Sequence, residues 1–395
     1  MNDFTFNQDN PKHSFVFTGK GWAYFVICLV NFFLCTITLG VYTPWALVKC
    51  RRYVYQNMML NGQPFKYEAT GGAIFISFLL LAVIYIVSMN FILHGNPLLG
   101  VTLLCLLTIS FPAMVVKSLE YHAMMTSLNG IRFGFECSTL KAWITILVVP
   151  VLLTLVTLLV VYILWLATDW LDDISLAFRI IFVTLVGIAG MGITYGITWG
   201  KWMQLVGNGG NFGIHRFEIN VSLKACIAGS LKSLLTFLPF AIVIVYLISP
   251  IFLQMMMLTM WGGLDDSFVL EHHTRIMACY FLYFAGIIVV SSYLYVTLRN
   301  LFINNLVLDK GKVRFHTSVT VYGMVLHYLA LVFISGLTLG LAYPWMKMWL
   351  VAWLAKNSHV HGDLDSLELS NNDKALKTNP AMWISRGVMT YFPFI

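Results

Sequence analysis

Seven stretches of the chain, 22–48, 69–116, 142–168, 180–200, 233–264, 276–298 and 317–346, contain no Asp, Glu, Lys or Arg. A helix needs only about 20 apolar residues to cross the hydrocarbon of a bilayer, so each stretch can supply a crossing. The stretch 69–116 can supply two, turning at His94-Gly95-Asn96-Pro97. Eight hydrophobic helical segments are therefore expected, near 22–43, 72–93, 98–116, 142–167, 180–200, 233–260, 276–298 and 319–343. Soluble domains run near 25% charged, whereas this chain is 10% charged and 59% hydrophobic. The expectation is an all-α polytopic membrane protein, with residues 1–356 forming a single integral membrane domain and 357–395 a polar C-terminal tail.

Lys and Arg in the connections set the expected orientation. Lys49, Arg51, Arg52 and Lys66 follow the first segment; Lys117, Arg132 and Lys141 follow the third; Lys201, Arg216 and Lys224 follow the fifth; Arg299, Lys310, Lys312 and Arg314 follow the seventh. Those connections are expected in the cytoplasm. The net charge of +7 then reflects this asymmetry and attraction to anionic head groups, so membrane lipids are the expected partners and nucleic acid is not. A protein partner or a second copy stays open. No apolar region near Trp22 leads into a small-residue cleavage site, so the first segment is expected to remain as an anchor. The seven cysteines show no Cys-x-x-Cys and read as small buried hydrophobes.

The chain repeats itself. Pro44 precedes Asn61-Gly62 and Phe65 at the same offsets by which Pro112 precedes Asn129-Gly130 and Phe133, and Pro344 stands in the same relation to His361-Gly362. A second element recurs as "PFKY", "RFGF", "RFEI" and "RFHT", with "SFVF" at Ser14 as a fifth copy. Asn-Gly supplies the positive φ angles of a tight hairpin, so "MMLNGQPFKY" and "SLNGIRFGF" read as short cytoplasmic hairpins or strand starts. Several could form a small sheet beneath the helices. The alternative is a set of separate interfacial turns whose phenylalanines dip into the bilayer.

The ends of the chain share a further pattern, "TLGVYTPW" from Thr38 and "TLGLAYPW" from Thr338. Gly40 and Gly340 can release a helix end, and Pro44 and Pro344, each followed by a tryptophan (Trp45, Trp345), suit the first turn of a new helix. If the chain turns back there, each terminal segment is a re-entrant hairpin and both termini are cytoplasmic. A single tilted pass at each end would put both termini outside, and Pro112, where an ordinary span leaves the membrane, favours that alternative.

The "SFVF" start, "TLGVYTPWALVKCRRY", "MMTSLNGIRF", "NFGIHRF", "VTLRN", "GLAYPW", "HGDLDSLEL" and "ISRGVM" together resemble the YjgN family of bacterial inner-membrane proteins over nearly the whole chain. The resemblance implies a polytopic protein of the inner membrane of a Gram-negative-type bacterium. It carries no mechanism and no catalytic residues.

Sites must therefore be sought in the residues themselves. No catalytic residue, cofactor-binding residue or metal ligand set stands out, and an enzyme is not the favoured reading. Charge-free spans argue against ion-coupled transport, which usually places charged groups at mid-membrane. His327 is the intramembrane polar candidate; backbone satisfaction is its commoner role. "GNGGNFG" at Gly207 lacks the Lys-Ser/Thr of a phosphate loop and reads as a turn. His359, His361, Asp363 and Asp365, like Glu271-His272-His273, lack a familiar metal-ligand spacing. Gly192, Gly196 and Gly200 bare one helix face for close packing, and tryptophans at segment ends fit an interfacial belt.

Two functions from different classes fit. In the first, the helices bind or transport a lipid or other amphiphile, whose phosphate head could contact Lys49, Arg51 and Arg52. In the second, the protein is a non-catalytic scaffold docking a cytoplasmic partner through its strands and tail. An exposed sheet edge would favour the second.

Overall fold

A computed structural model describes residues 11–169, 176–261, 267–364, 370 and 380–388. The chain alternates strand pairs with helix pairs. Strand β1 (Lys12–Phe17) leads into α1 (Gly21–Ile37) and α2 (Thr43–Gln56), then β2 (Met58–Leu60) and β3 (Gln63–Tyr67). Helices α3 (Gly71–His94) and α4 (Pro97–Met124) return to β4 (Thr126–Leu128) and β5 (Ile131–Phe135). Next come α5 (Thr139–Trp143), a π-helical turn (Ile144–Val148), α6 (Val149–Asp169) and α7 (Leu176–Gly209), returning to β6 (Gly210–Phe212) and β7 (His215–Ile219). Helices α8 (Leu223–Leu235), α9 (Leu238–Trp261) and α10 (Ser267–Asn304) precede β8 (Leu306–Leu308) and β9 (Val313–Thr317). Helices α11 (Val321–Leu337) and α12 (Tyr343–Lys356) lead to β10 (Ser358–His361), and α13 (Pro380–Ser385) follows.

The all-α expectation is corrected here, because the ten described strands close into one antiparallel barrel in the order β1-β10-β9-β8-β7-β6-β5-β4-β3-β2. The terminal strands β1 and β10 pair through Lys12↔His361, His13↔Val360 and Ser14↔His359, and so complete the circle. Four hairpins lie within the chain and the two terminal strands form the fifth pair. Asn61-Gly62 and Asn129-Gly130 adopt the positive φ angles read from the sequence, 51° and 76°, and 51° and 79°. Closure matters because an open edge presents unpaired N–H and C=O groups to other chains, and a barrel has none.

The five repeated phenylalanines explain how so short a barrel holds together. Each opposes an apolar residue of the neighbouring hairpin: Phe15↔Leu60, Phe65↔Leu128, Phe133↔Phe212, Phe217↔Leu308 and Phe315↔Val360. All ten side chains belong to one apolar cluster filling the barrel. Eight strands already make an interior just wide enough for side chains to fill, so a ten-stranded barrel calls for rings. Phe15 and Phe65 lie 6.4 Å apart, Phe65 and Phe133 6.2 Å, and Phe133 and Phe212 4.8 Å. The phenylalanines therefore point into the barrel and not into the bilayer.

The same offset fastens a helix to the barrel in three of the repeats. Six residues before its strand, Arg52 donates to Ala69 O at 2.9 Å, Gln204 to Val221 O at 3.1 Å and Asn300 to Val319 O at 3.0 Å. Threonine or serine caps begin the outgoing helices: the hydroxyls of Thr70, Ser138 and Thr320 accept the N–H of Ala73, Lys141 and Gly323.

Every helix pair returns to the barrel, so β1 and β10 lie at the same end of the molecule. Six helical stretches are long and apolar enough to cross a membrane: Gly71–His94, Pro97–Met124, Thr139–Asp169, Phe178–Gly209, Leu223–Leu258 and Leu270–Asn304. The terminal segments instead divide into helices of 17 and 14 residues, α1 with α2 and α11 with α12. Barrel order makes these two short pairs neighbours, and α1 packs against α12. Pro112, by contrast, lies inside unbroken α4; Leu106-Leu107-Thr108 stands where the terminal segments have Thr-Leu-Gly.

Residues from the expected tail take part in both ends of this architecture. Ser358–His361 are the tenth strand, and α13 packs against α3 and α4. The acidic stretch from Asp365 onward and Trp170 lie outside the described residues.

Candidate functional site

The two Thr-Leu-Gly turns are nearly superimposable in their bonding. Leu39 and Gly40 adopt φ of 49° and 87°, and Leu339 and Gly340 adopt 52° and 87°. In the first turn the N–H groups of Thr38, Leu39, Gly40, Val41 and Thr43 bond to the carbonyls of Leu34, Thr36, Cys35, Thr38 and Gly40, and the Tyr42 N–H goes to the Thr38 hydroxyl. The second turn repeats the pattern from Thr338 to Tyr343, with the Thr338 hydroxyl taking the Ala342 N–H. Pro44 and Pro344 have no N–H to satisfy. Every backbone N–H from 38 to 43 and from 338 to 343 is thus satisfied within its own turn, while Leu39 and Leu339 are each 94% exposed at the tips.

Trp45 and Trp345 anchor these hairpins sideways. A Cβ on Gly71 would lie 2.4 Å from the Trp45 ring, and one on Gly21 would lie 2.4 Å from the Trp345 ring, so glycine lets each indole lie flush on the next outgoing helix. Trp345 also stacks on Phe25 at 4.4 Å. His327 performs a similar task within the second hairpin. It is buried, bonds through Nδ1 to Gly323 O at 2.7 Å and stacks on Trp349 and Trp353 at 3.8 and 4.5 Å. Asn31, also buried, reaches from α1 to Ala46 O.

The three cations expected at a lipid head group part company. Lys49 is exposed, 5.3 Å from the centre of the Tyr42 ring. Arg52 spends its donors on the carbonyls of Tyr67 and Ala69. Arg51 is 6% exposed, its guanidinium 4.6 Å from the Tyr67 ring centre and 5.3 Å from that of Tyr55. Its counterpart seven residues before β8, Arg299, is also buried and donates to Thr317 Oγ1 at 2.6 Å and Ser358 Oγ at 2.9 Å. Both arginines therefore sit in seams between repeats.

The Arg51 seam holds a polar network that a reading along the chain misses. The Tyr67 hydroxyl and His122 Nδ1 lie 2.7 Å apart, and His122 Nε2 lies 3.1 Å from Arg386 O. A neutral imidazole donating from Nε2 and accepting at Nδ1 satisfies both contacts. Burial pushes the Tyr67 phenol above its ordinary pKa and keeps it a donor. Arg386 lies 5.0 Å from the Tyr121 ring centre, and the Gly387 N–H reaches Ser77 Oγ. Arg386 and Gly387 lie more than two hundred residues from His122 and Ser77, and Tyr67 lies 55 from His122, so no local spacing announces the network.

The remaining motifs resolve into packing. Gly192, Gly196 and Gly200 face α8: a Cβ on Gly196 would lie 2.7 Å from Ile227 Cα, and Gly192 and Gly200 face Leu234 and Leu223. "GNGGNFG" joins α7 to β6, with Gly213 at φ 55°. His272 Nε2 lies 2.9 Å from Gln254 Oε1. Among the described residues no group of three or more His, Cys, Asp or Glu is placed to hold a metal ion.

Comparison with known proteins agrees with this architecture in class. Residues 12–379 match the family model described as a bacterial protein of unknown function, DUF898. The chain is 57% identical over 397 residues to a protein called inner membrane protein YjgN from Salmonella typhimurium strain LT2, covering all of both chains. It is 38% identical over 391 residues to the proteins of that name from Escherichia coli O157:H7 and K12, covering 98% of each chain. No solved structure matches.

Proposed function

The chain belongs to the DUF898 family of bacterial proteins of unknown function and is an integral inner-membrane protein, and we propose that it binds a lipid or other amphiphile beside its two short terminal hairpins. The observation that carries this reading is the uneven height of the helix pairs. Lys49, Lys117 and Lys201 each stand nine residues before their strand, which supports a common head-group level above a cytoplasmic barrel. Beyond it, α4 continues for roughly 30 Å, a full hydrocarbon thickness, whereas α2 from Pro44 to Lys49 rises only about 9 Å. The short hairpins would then end inside the bilayer as re-entrant elements with both termini in the cytoplasm.

Backbone can stay in hydrocarbon only where its polar groups are bonded internally or lie against protein. The Thr-Leu-Gly turns meet that demand for all of their N–H groups, and their leucine tips suit an apolar surrounding. Because the two short pairs are neighbours, the wall of spanning helices is lowered on one side, where an acyl chain can lie above the hairpins. Scaffolding by strand addition is less well supported, since the barrel offers no edge.

Native mass spectrometry of protein extracted in mild detergent, with lipid analysis of what co-purifies, tests the proposal. A stoichiometric amphiphile is the expected result. Bare protein that also fails to take up added lipid would overturn it.

A further inference from the structure

Helices α1 and α2 face each other in an antiparallel register that can be followed pair by pair. The Tyr24 and Tyr53 rings lie 5.5 Å apart, the Asn31 amide reaches Ala46 O at 3.4 Å, and the Thr43 hydroxyl reaches Cys35 Sγ at 3.9 Å. Between the first two of these pairs the same register sets Cys28 opposite Cys50, and the two thiols hydrogen-bond to each other. Both are free cysteines, and both are partly exposed.

The surroundings suit a reactive thiol at Cys50. Asn31 Nδ2 donates to Cys50 Sγ at 3.5 Å, and the Tyr24 side chain hydrogen-bonds to both sulfurs. Lys347 reaches across from α12 to 5.5 Å from the Tyr24 ring centre and brings a positive charge near the pair. The thiolate is the nucleophile, and neighbouring donors and cations favour it. The second hairpin serves as a built-in comparison. It matches the first position for position and holds Tyr328, Leu331 and Leu350 where the first has Cys28, Asn31 and Cys50. Tyr328 and Leu350 pack there against an apolar cluster. A hairpin of this design therefore closes without sulfur, and packing alone does not account for two facing thiols with a donor and a cation beside them.

We propose that Cys28 and Cys50 form an oxidation site at which a hydroperoxide is reduced and α1 becomes linked to α2 by a disulfide. The Cys50 thiolate attacks the terminal peroxide oxygen. An S–O bond forms as the O–O bond breaks, and the departing oxygen takes up the proton that Cys50 released, leaving as an alcohol or water. Cys28 Sγ then attacks Cys50 Sγ; the S–S bond forms, the S–O bond breaks, and the hydroxyl leaves as water with the Cys28 proton. Two thiols and one hydroperoxide thus give one disulfide, one alcohol or water, and one further water. Cys50 adjoins Lys49, at the proposed head-group level, so the peroxide can belong to an oxidised phospholipid or be hydrogen peroxide itself. The site does not depend on amphiphile binding.

In the test, reduced full-length protein in lipid nanodiscs meets an equimolar amount of hydrogen peroxide or of a phosphatidylcholine hydroperoxide. It is then denatured in N-ethylmaleimide and mapped by mass spectrometry. Wild-type protein should lose two of its seven maleimide adducts, yield a peptide cross-linked between Cys28 and Cys50, and recover both adducts after dithiothreitol. The faster of the two oxidants identifies the source of the peroxide. Cys28→Ser should stop at a sulfenic acid on Cys50, trapped by dimedone, and Cys50→Ser should slow oxidation of Cys28 by about tenfold or more. Absence of the Cys28–Cys50 disulfide with both oxidants in the wild type, or oxidation of Cys50 no faster than that of Cys137, would overturn the site and leave the amphiphile reading untouched.

Discussion

The Thr38 hydroxyl accepts the backbone N–H of Tyr42 at 3.0 Å while donating to Leu34 O at 2.7 Å. Leu34 O also takes the Thr38 N–H, so the backbone group that depends on this hydroxyl is the Tyr42 N–H. Thr38→Val keeps the shape and removes both bonds. A buried backbone group left unsatisfied costs about 1–3 kcal/mol, so the melting temperature in detergent should fall measurably, with Thr38→Ser close to wild type. Equal melting of Thr38→Val and wild type would contradict this role.

Gly40 and Gly336 make a matched pair. Gly40 sits at φ 87°, whereas Gly336 lies within α11 with open space where a Cβ would go. Gly40→Ala should destabilise by about 1 kcal/mol or more, because alanine resists that backbone region. Gly336→Ala should be neutral or stabilising by up to about 1 kcal/mol through helix propensity. Thermal unfolding of the two variants side by side checks the sign of each.

Gly196 predicts a packing failure, since its added Cβ would meet the backbone of Ile227 and not a yielding side-chain tip. Gly196→Ala should destabilise by roughly 1–3 kcal/mol, the usual range for overpacking. Gly72→Ala, with nothing within 4 Å, is the control. A glycine stripe that served a dimer face would instead show a loss of association at unchanged monomer stability.

The outer wall at the terminal seam should be sensitive to acid. His359 and His361 are held below the ordinary histidine pKa, first by burial and then by neighbouring Lys12 and His316, with His13 adding to His361. Arg314 stands opposite His361 and His316 opposite His359. The unfolded chain therefore binds more protons, and the stabilising contribution is complete above about pH 6.5 and lost as pH falls through the lower folded values. Melting temperature should drop between pH 7.5 and pH 5, and the double variant His359→Asn, His361→Asn should show a flatter profile. An identical profile in that variant would place the sensitivity elsewhere.

Much of this fold is written in short local signals. The five phenylalanines mark the five strand pairs, Asn61-Gly62 and Asn129-Gly130 mark turns, and Gly40 with Pro44, like Gly340 with Pro344, marks where a helix pair reverses. What could not be read locally is closure. β2, β4, β6 and β8 are three residues long and follow their helices almost without a break, too short for an alternating pattern to show. Sealing the barrel also requires β1 to find β10 from the opposite end of the chain.

The same limit applied to the candidate sites. Arg51 and Arg52 look like head-group ligands in a run of cations, yet one is buried under aromatic rings and the other is bonded to barrel carbonyls. The His122 network needs Arg386, whose position no spacing predicts.

The most direct test of the account is the depth of the hairpin tips. A nitroxide side chain installed at Leu39, and separately at Leu339, in protein reconstituted in lipid nanodiscs can be probed with molecular oxygen and with a water-soluble nickel complex. Both positions should be accessible to oxygen and shielded from nickel, as for a site within the hydrocarbon, while a label at Asn96 on the far turn of a spanning pair should be open to nickel. Nickel access at Leu39 and Leu339 equal to that at Asn96 would show that the tips reach water and would contradict the re-entrant arrangement on which the proposed function depends.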